Sequence, residues 1–406
     1  MSPLVIDLPF GISVDLSFWV GIFQLGSWEV FKTIFVIIGW EILAVVFIYM
    51  GEILWLRYRQ SLHKSKWKWV LLAVDIPEEI IQSPKAVEQI FAHLSGALLN
   101  TNIVEKYWYG EKQKYFSLEI ISIEGYIQFL IYTEAAFRDL VEAAIYAQYP
   151  QAEITEVEDY TSNIPHKYPS DTHDVFAVEF GLTENETFPI RTYSEFEYSI
   201  SKDVVFSDPM ASLLETFSRV SPGENFWLQI IIEPTSNHWK EKGVELAKKI
   251  IEHRGLDHSG GRSNDSWLSK IGEIPMKIMQ ELFNIWHWQF EPTEEHAVEV
   301  EPLGKMQELT PGLKDIVESI ETKISRVGFK SKMRVLYISR KEIYNPMKLV
   351  KAFIGSINQF YNSTRNGLAP KLSTQYYYAF KKSRTIYAKN RLVKAYIKRK
   401  IKTGIN

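Results

Sequence analysis

The sequence predicts an α+β protein: one long apolar helix near the N-terminus, two runs of alternating strands and helices, and a basic C-terminal helix. Three observations carry this. Residues Phe31 to Leu56 are almost uncharged. From Trp67 onward the hydrophobic pattern switches repeatedly between the period of a strand and that of a helix. Residues 381–402 hold ten Lys or Arg and no acid.

The apolar segment reads FKTIFVIIGWEILAVVFIYMGEILWL. As a helix it is about 39 Å long, enough to cross a hydrocarbon core of ~30 Å with some tilt. Lys32 and Glu52 lie near its ends, where their side chains can reach the interface. Glu41 lies near the middle, where a carboxyl group costs a few kcal/mol unless it is protonated, paired or turned toward another helix. Glu41, Val45, Ile48 and Glu52 share one face, and Gly39, Ala44 and Gly51 permit close approach. Glu41 is therefore either a tolerated carboxyl or a helix–helix contact in an assembly, which would make the chain a homo-oligomer or a subunit. Arg57, Arg59, Lys64, Lys66 and Lys68 follow the segment, and no basic residue precedes Lys32. The positive-inside rule then places the N-terminus outside and the bulk of a single-pass chain on the cytoplasmic side of the inner membrane. A basic leader region is missing, which argues against a cleaved signal peptide. Residues 1–30 read as an extracytoplasmic segment, with FGISVDLSFWVGIFQL lying along the outer interface.

In residues 67–160, WKWVLLAVDIP is a strand closed by Pro77, and Ser83-Pro84 starts a helix with Val87, Ile90, Phe91, Leu94 and Leu98 at helical spacing. YFSLEIISI and YIQFLIYT are strands joined by Glu124-Gly125, a tight-hairpin signal. Thr133 is read as the cap of a helix striped by Phe137, Leu140, Val141, Ala144 and Ile145, and QAEITEVEDY as a last strand. The order β-α-β-β-α-β is that of a ferredoxin-like split unit.

Residues 174–365 predict a second, looser ferredoxin-like module. HDVFAVEFGL is a strand, DPMASLLETFSRV a helix, and ENFWLQIIIEP a strand followed by helix 238–254. Helix 311–326, strand KMRVLYISR and helix 346–361 complete it. Ser83-Pro84, Asp208-Pro209, Thr310-Pro311 and Asn345-Pro346 give four helix starts the same device. Between the halves of this module, residues 255–309 form an insertion: a Gly/Ser-rich arm, a Trp-rich amphipathic helix and an acidic, proline-flanked arm, together a lid or a docking element. Residues 366–406 are the basic tail.

The chain of 406 residues has no cysteine, which excludes disulfides, thiolate metal sites and a cysteine nucleophile. Its nine histidines show no ligand spacing. GxxxxGK[ST], GxGxxG, HExxH and GxSxG are all missing, so no cofactor and no catalytic residue is assigned, and the chain reads as non-enzymatic. The net charge of −3 hides an asymmetry: all 49 acids lie at or before Glu342, and fourteen Lys and Arg follow it. In the tail, Ile386, Val393, Ile397 and Ile401 recur near helical spacing beside Tyr387, Leu392 and Tyr396, giving a basic amphipathic helix. Lys381, Lys382, Arg384, Arg391, Lys394, Lys398, Arg399 and Lys400 would contact a partner, as Glu41, Arg57, Arg59 and Lys64 would at the membrane. An anionic leaflet, nucleic acid, an acidic protein or the chain's own acidic body all fit such a helix.

The strings YFSLEI followed by IEG, then FRDLVEAAIYAQYPQAEITEVEDYT, DPMASLLETFSRVSPGENFWLQIIIEP, TKISRVGFKSKMRVLYISRKEIYNP and IGSINQFYNSTRNGLAP, resemble a family of membrane-anchored proteins of unknown function from candidate-phyla bacteria. The resemblance covers roughly residues 67–402. That family is in turn similar to the N-terminal, ATPase-less region of type IV secretion and conjugation ATPases. It implies a non-catalytic, membrane-tethered scaffold or adaptor for a separate motor ATPase in a secretion or DNA-transfer machine. The other reading is a membrane-anchored protein that binds nucleic acid through its tail.

Overall fold

The computed structural model describes residues 5–8, 12–15, 27–77, 84–200, 203–206, 208–253, 309–376 and 380–402. The expectations for the insertion and most of the segment 10–25 fall outside these residues, as does Ser83 of the first helix start. The described chain divides into two units: residues 1–68 with 99–113, and residues 69–98 with 114–406.

In the first unit, strands β1 (Val5–Leu8) and β2 (Ile12–Asp15) form an antiparallel hairpin. Helix α1 runs from Ser27 to Ser65, longer at both ends than the apolar stretch alone. Its stretch Gly39–Ser65 is long and apolar enough to cross a membrane. Large apolar side chains point outward along it, among them Trp40, Ile42, Phe47 and Ile48. The helix extends past Leu56 because RYRQSLHKS contains neither Gly nor Pro to stop it.

In the second unit, β3 (Trp69–Asp75), α2 (Pro84–Leu94), β4 (Phe116–Ile123), β5 (Tyr126–Glu134), α3 (Arg138–Tyr146) and β6 (Glu153–Glu156) make the first run. The second run is β7 (His173–Leu182), a small hairpin of β8 (Glu197–Ile200) and β9 (Asp203–Phe206), α4 (Ala211–Ser218), β10 (Glu224–Pro234), α5 (His238–His253), α6 (Pro311–Ile324), β11 (Phe329–Arg340), α7 (Pro346–Asn358) and β12 (Leu368–Ser373). Helix α8 (Lys381–Ile397) closes the chain.

The two runs do not build separate sheets. They form one eight-stranded, wholly antiparallel sheet in the order β12-β7-β11-β10-β4-β5-β3-β6. The seam is the β4–β10 pair, in register from Ile123–Asn225 to Phe116–Ile232. With the separate β8–β9 hairpin left out, the strands of each run lie in the order fourth, first, third, second. Three local expectations are corrected. Thr133 is a buried residue of β5, not a helix cap, because the strand continues through Glu134. The fourth sheet strand of the second run is β12, inside the stretch predicted as tail; Pro370 argues against a strand there, but an edge strand tolerates proline at an irregularity such as the one present. Thr310 and Asn345 stand at helix N-caps before proline as predicted, but neither side chain caps its helix.

Strand alternation assigns the faces. One face packs α2 and α3 onto Leu72, Val74, Phe116 and Ile232, and α4 and α7 onto Phe176, Val178, Phe226, Leu228, Val335 and Tyr337. The opposite face, with Leu71, Ala73, Val175, Ala177, Trp227, Leu336 and Ile338, is covered by Leu392, Val393 and Tyr396 of α8. Helices α5 and α6 pack on each other through Ala247, Ile250, Ile316, Val317 and Ile320.

Candidate functional site

On the α8 face, four successive neighbouring strands each place one polar residue at the same level. Glu119 of β4 is opposite Gln229 of β10, Gln229 opposite Arg334 of β11, and Arg334 opposite Glu179 of β7. All four are buried. Polar groups taken out of water need partners, and here they find one another. Gln229 Nε2 donates to Glu119 Oε1 at 3.0 Å, and Arg334 Nη1 donates to Gln229 Oε1 at 3.1 Å. Arg334 Nε and Lys332 Nζ donate to Glu179 at 3.1 and 2.9 Å. The row crosses the seam between the two runs.

Helix α8 closes over this row. Gln229 Nε2 also donates to the Tyr396 carbonyl at 3.1 Å, and Arg334 Nη2 to the Lys400 carbonyl. Just past the helix, Arg399 is 1% exposed and forks between two carboxylates. Its Nε and Nη2 reach the two oxygens of Glu119 at 2.9 and 3.1 Å, while Nη1 and Nη2 reach Asp159 at 2.6 and 3.2 Å. Its guanidinium lies 3.8 Å from the Tyr132 ring centre. Tyr160 donates to Glu119 Oε2 at 2.8 Å and shares a 2.8 Å hydrogen bond with the Tyr396 hydroxyl. Both rings pack on Trp227.

The electrostatics follow from this packing. Burial opposes the Arg399 charge, but Glu119 and Asp159 outweigh it and hold the guanidinium above its ordinary range. Burial also raises the Asp159 carboxyl, yet Arg399 and the Thr161 backbone and side chain reverse this and hold it below the usual carboxylate value. Burial pushes the Tyr160 and Tyr396 hydroxyls well above the ordinary phenol, so both stay neutral donors. The cluster is a satisfied network that locks α8 to the sheet.

Arg399 also completes the helix end. Its φ is +45°, Arg399 N–H bonds to Tyr396 O at 2.9 Å, and Lys400 N–H bonds to Ala395 O at 2.9 Å. This is the Schellman pattern, whose left-handed residue is usually glycine. An arginine accepts the strained backbone because its side chain gains four charge-assisted contacts there.

The expected contact residues divide accordingly. Arg399 is corrected from an outward contact to a buried anchor, because the neighbouring carboxylates lie beneath the sheet-facing side of α8. Lys381, Lys382, Arg384, Lys394, Lys398 and Lys400 are exposed, and Arg391 is half-buried. Lys389 is held by Asp174. In the first unit Glu41 and Arg57 are exposed on α1. Arg59 donates to the Trp108 carbonyl and lies 5.7 Å from the Trp55 ring, and Lys64 lies 5.9 Å from the Trp67 ring. No metal-ligating group of three acids or histidines occurs among the described residues.

A family model described as a domain of unknown function, DUF8128, matches residues 98–394, nearly three quarters of the chain. The chain belongs to the DUF8128 family. The match takes in seven of the eight strands of the sheet, beginning with β4, and most of α8. Of the polar row, Glu119, Glu179, Gln229 and Arg334 all lie inside the DUF8128 match, whereas Arg399 lies five residues beyond it. No curated protein and no solved structure matches the chain.

Proposed function

We propose that this DUF8128 protein is a membrane-tethered, non-catalytic scaffold. Helix α1 would anchor it in the inner membrane with the N-terminus outside, and the antiparallel sheet would serve as a rigid cytoplasmic platform. Each run, with its strands in the order fourth, first, third, second and its helices on one face, reads as a ferredoxin-like split βαβ half. The carrying observation is the locked α8. A helix pinned by Arg399, Gln229 and Arg334 presents Lys381, Lys382, Arg384, Lys394 and Lys398 outward as a fixed cationic ridge. Such a ridge suits an acidic protein surface, and the resemblance to the region before the motor of type IV secretion ATPases points to a separate ATPase as the partner. Charge complementarity of this kind mainly sets encounter rate and partner choice.

The test is affinity purification from native membranes of the wild type and of a variant with Lys381, Lys382, Lys394 and Lys398 changed to Glu. A partner retained by the wild type and lost by the variant supports the reading. A wild-type monomer recovered alone defeats it. The same ridge favours a second reading, binding of nucleic acid. That reading requires DNA affinity that falls steeply with salt and weakens with the same variant.

A further inference from the structure

The segment 99–113 belongs to the same unit as α1, and it is built for order. Asn102 and Glu105 form a reciprocal cap: the Asn102 N–H bonds to Glu105 Oε2 at 2.9 Å, and the Glu105 N–H to Asn102 Oδ1 at 2.8 Å. A π-helical turn follows at Glu105–Tyr109 and ends at Gly110 with φ +72°.

This turn is bonded to one short stretch of α1. Tyr107 donates its hydroxyl to Glu52 Oε1 at 2.7 Å, Trp55 donates its indole N–H to the Tyr107 carbonyl at 3.0 Å, and Arg59 donates to the Trp108 carbonyl. The Trp55 and Trp108 rings are 6.3 Å apart. Glu52 to Arg59 covers about 10 Å of helix axis. It is where the apolar run gives way to Arg57 and Arg59. The other surface of the turn is apolar and unusually open: Ile103 is 57%, Val104 58%, Trp108 63% and Tyr109 59% exposed. Exposed Lys106 and Lys112 flank these side chains.

We infer that segment 99–113 is a second membrane contact, an interfacial wedge that seats Ile103, Val104, Trp108 and Tyr109 in the lipid headgroup layer. The inference rests on α1 spanning the bilayer. Given that, a turn bonded to Glu52 and Trp55 is continuous with the span and is held at the level where the span leaves the hydrocarbon. Trp and Tyr prefer that level, and Lys beside them meets anionic headgroups. A lone tethering helix could swivel; a wedge clamped to it would fix its rotation and depth.

The native chain has no cysteine, so single-cysteine spin labels need no background removal. The full-length I103C, V104C, I48C and K351C variants would be reconstituted in phosphatidylcholine–phosphatidylglycerol vesicles containing no other protein. Accessibility to oxygen and to a water-soluble nickel chelate is then compared. Labels at 103 and 104 should show an oxygen-to-nickel ratio several-fold above the label at 351 and below that at 48. Nickel accessibility at 103 and 104 equal to that at 351, with 48 still in lipid, overturns the wedge and leaves the anchor standing. An aqueous label at 48 instead removes the anchor, and the wedge with it. A protein rather than lipid occupant would show as water-exposed labels in these protein-free vesicles.

Discussion

Arg399 grips Glu119 with two parallel hydrogen bonds, 2.9 and 3.1 Å long, across 280 residues of sequence. The pair joins the end of the chain to a strand at the seam of the sheet. A buried pair of this kind adds little net stability against an apolar substitute, but removing one partner strands a charge. Arg399→Ala should therefore cost about 3–5 kcal/mol, read as a lower urea midpoint of the full chain in detergent. Arg399→Gly removes the same contacts but relieves the left-handed backbone, and should fall about 1 kcal/mol short of the alanine loss. The double variant Glu119→Gln, Arg399→Gln should be more stable than the sum of its single changes, with a coupling of about 0.5–3 kcal/mol. Additive losses would mean the two side chains do not act as a pair.

Asp159 makes this lock sensitive to acid. Its folded carboxyl titrates below the unfolded one, so the unfolded state binds more protons over that interval. Its contribution is fully present above the unfolded value of about 4 and is lost as pH falls through the lower folded value. Urea midpoints measured downward from pH 6 should show the wild type losing stability below about pH 4 more steeply than Asp159→Asn. Parallel curves would show that Asp159 carries no linkage. The effect is modest, because the carboxylate side chain is 38% exposed and solvent screens it.

Gly110 holds the turn against α1. A Cβ there would collide with the Arg59 backbone, and φ +72° already disfavours any L side chain. Gly110→Ala should detach the turn from α1 while leaving the sheet intact. Hydrogen exchange should then rise at residues 99–113 and stay unchanged in β4 and β10. Unchanged exchange at 99–113 would show that the turn tolerates the methyl group and that contact with α1 does not order it.

Most strands were legible because they are short apolar runs rich in β-branched and aromatic residues: HDVFAVEFGL and ENFWLQIIIEP are β7 and β10 with the residues expected. The single sheet was not, since nothing in YFSLEIISI says which edge it offers; β4 and β10 each end the row of strands of their own run, and their open edges meet. The polar row left a faint signal. Glu179 and Gln229 are single polar residues within apolar runs, and Glu119 and Arg334 are the only charged residues in the buried stretches of β4 and β11. Such a residue needs a buried partner, and four of them in four strands forecast a network. The role of Arg399 left none, because in sequence it is one cation among ten in the tail. Its burial depends on a left-handed turn that no glycine announces.

Trp227 is the apolar counterpart of this lock and gives its sharpest packing test. It is 1% exposed, meets the Tyr160 ring edge-on at 4.6 Å between centres, and stacks on Tyr396 of α8 at 5.9 Å. Among the described residues its indole N–H has no hydrogen-bond partner. Trp227→Ala opens a cavity between sheet and helix and should cost about 3–5 kcal/mol. Trp227→Phe keeps most of the ring contact and deletes an unsatisfied donor, so it should cost less than about 1.5 kcal/mol. Urea midpoints separate the two, and hydrogen exchange in α8 locates the effect. In Trp227→Ala, α8 should exchange faster while α4 and α7 on the other face keep their protection. Equal losses for Phe and Ala would mean that the indole N–H is satisfied after all, and that Trp227 supports α8 through that bond rather than through its rings.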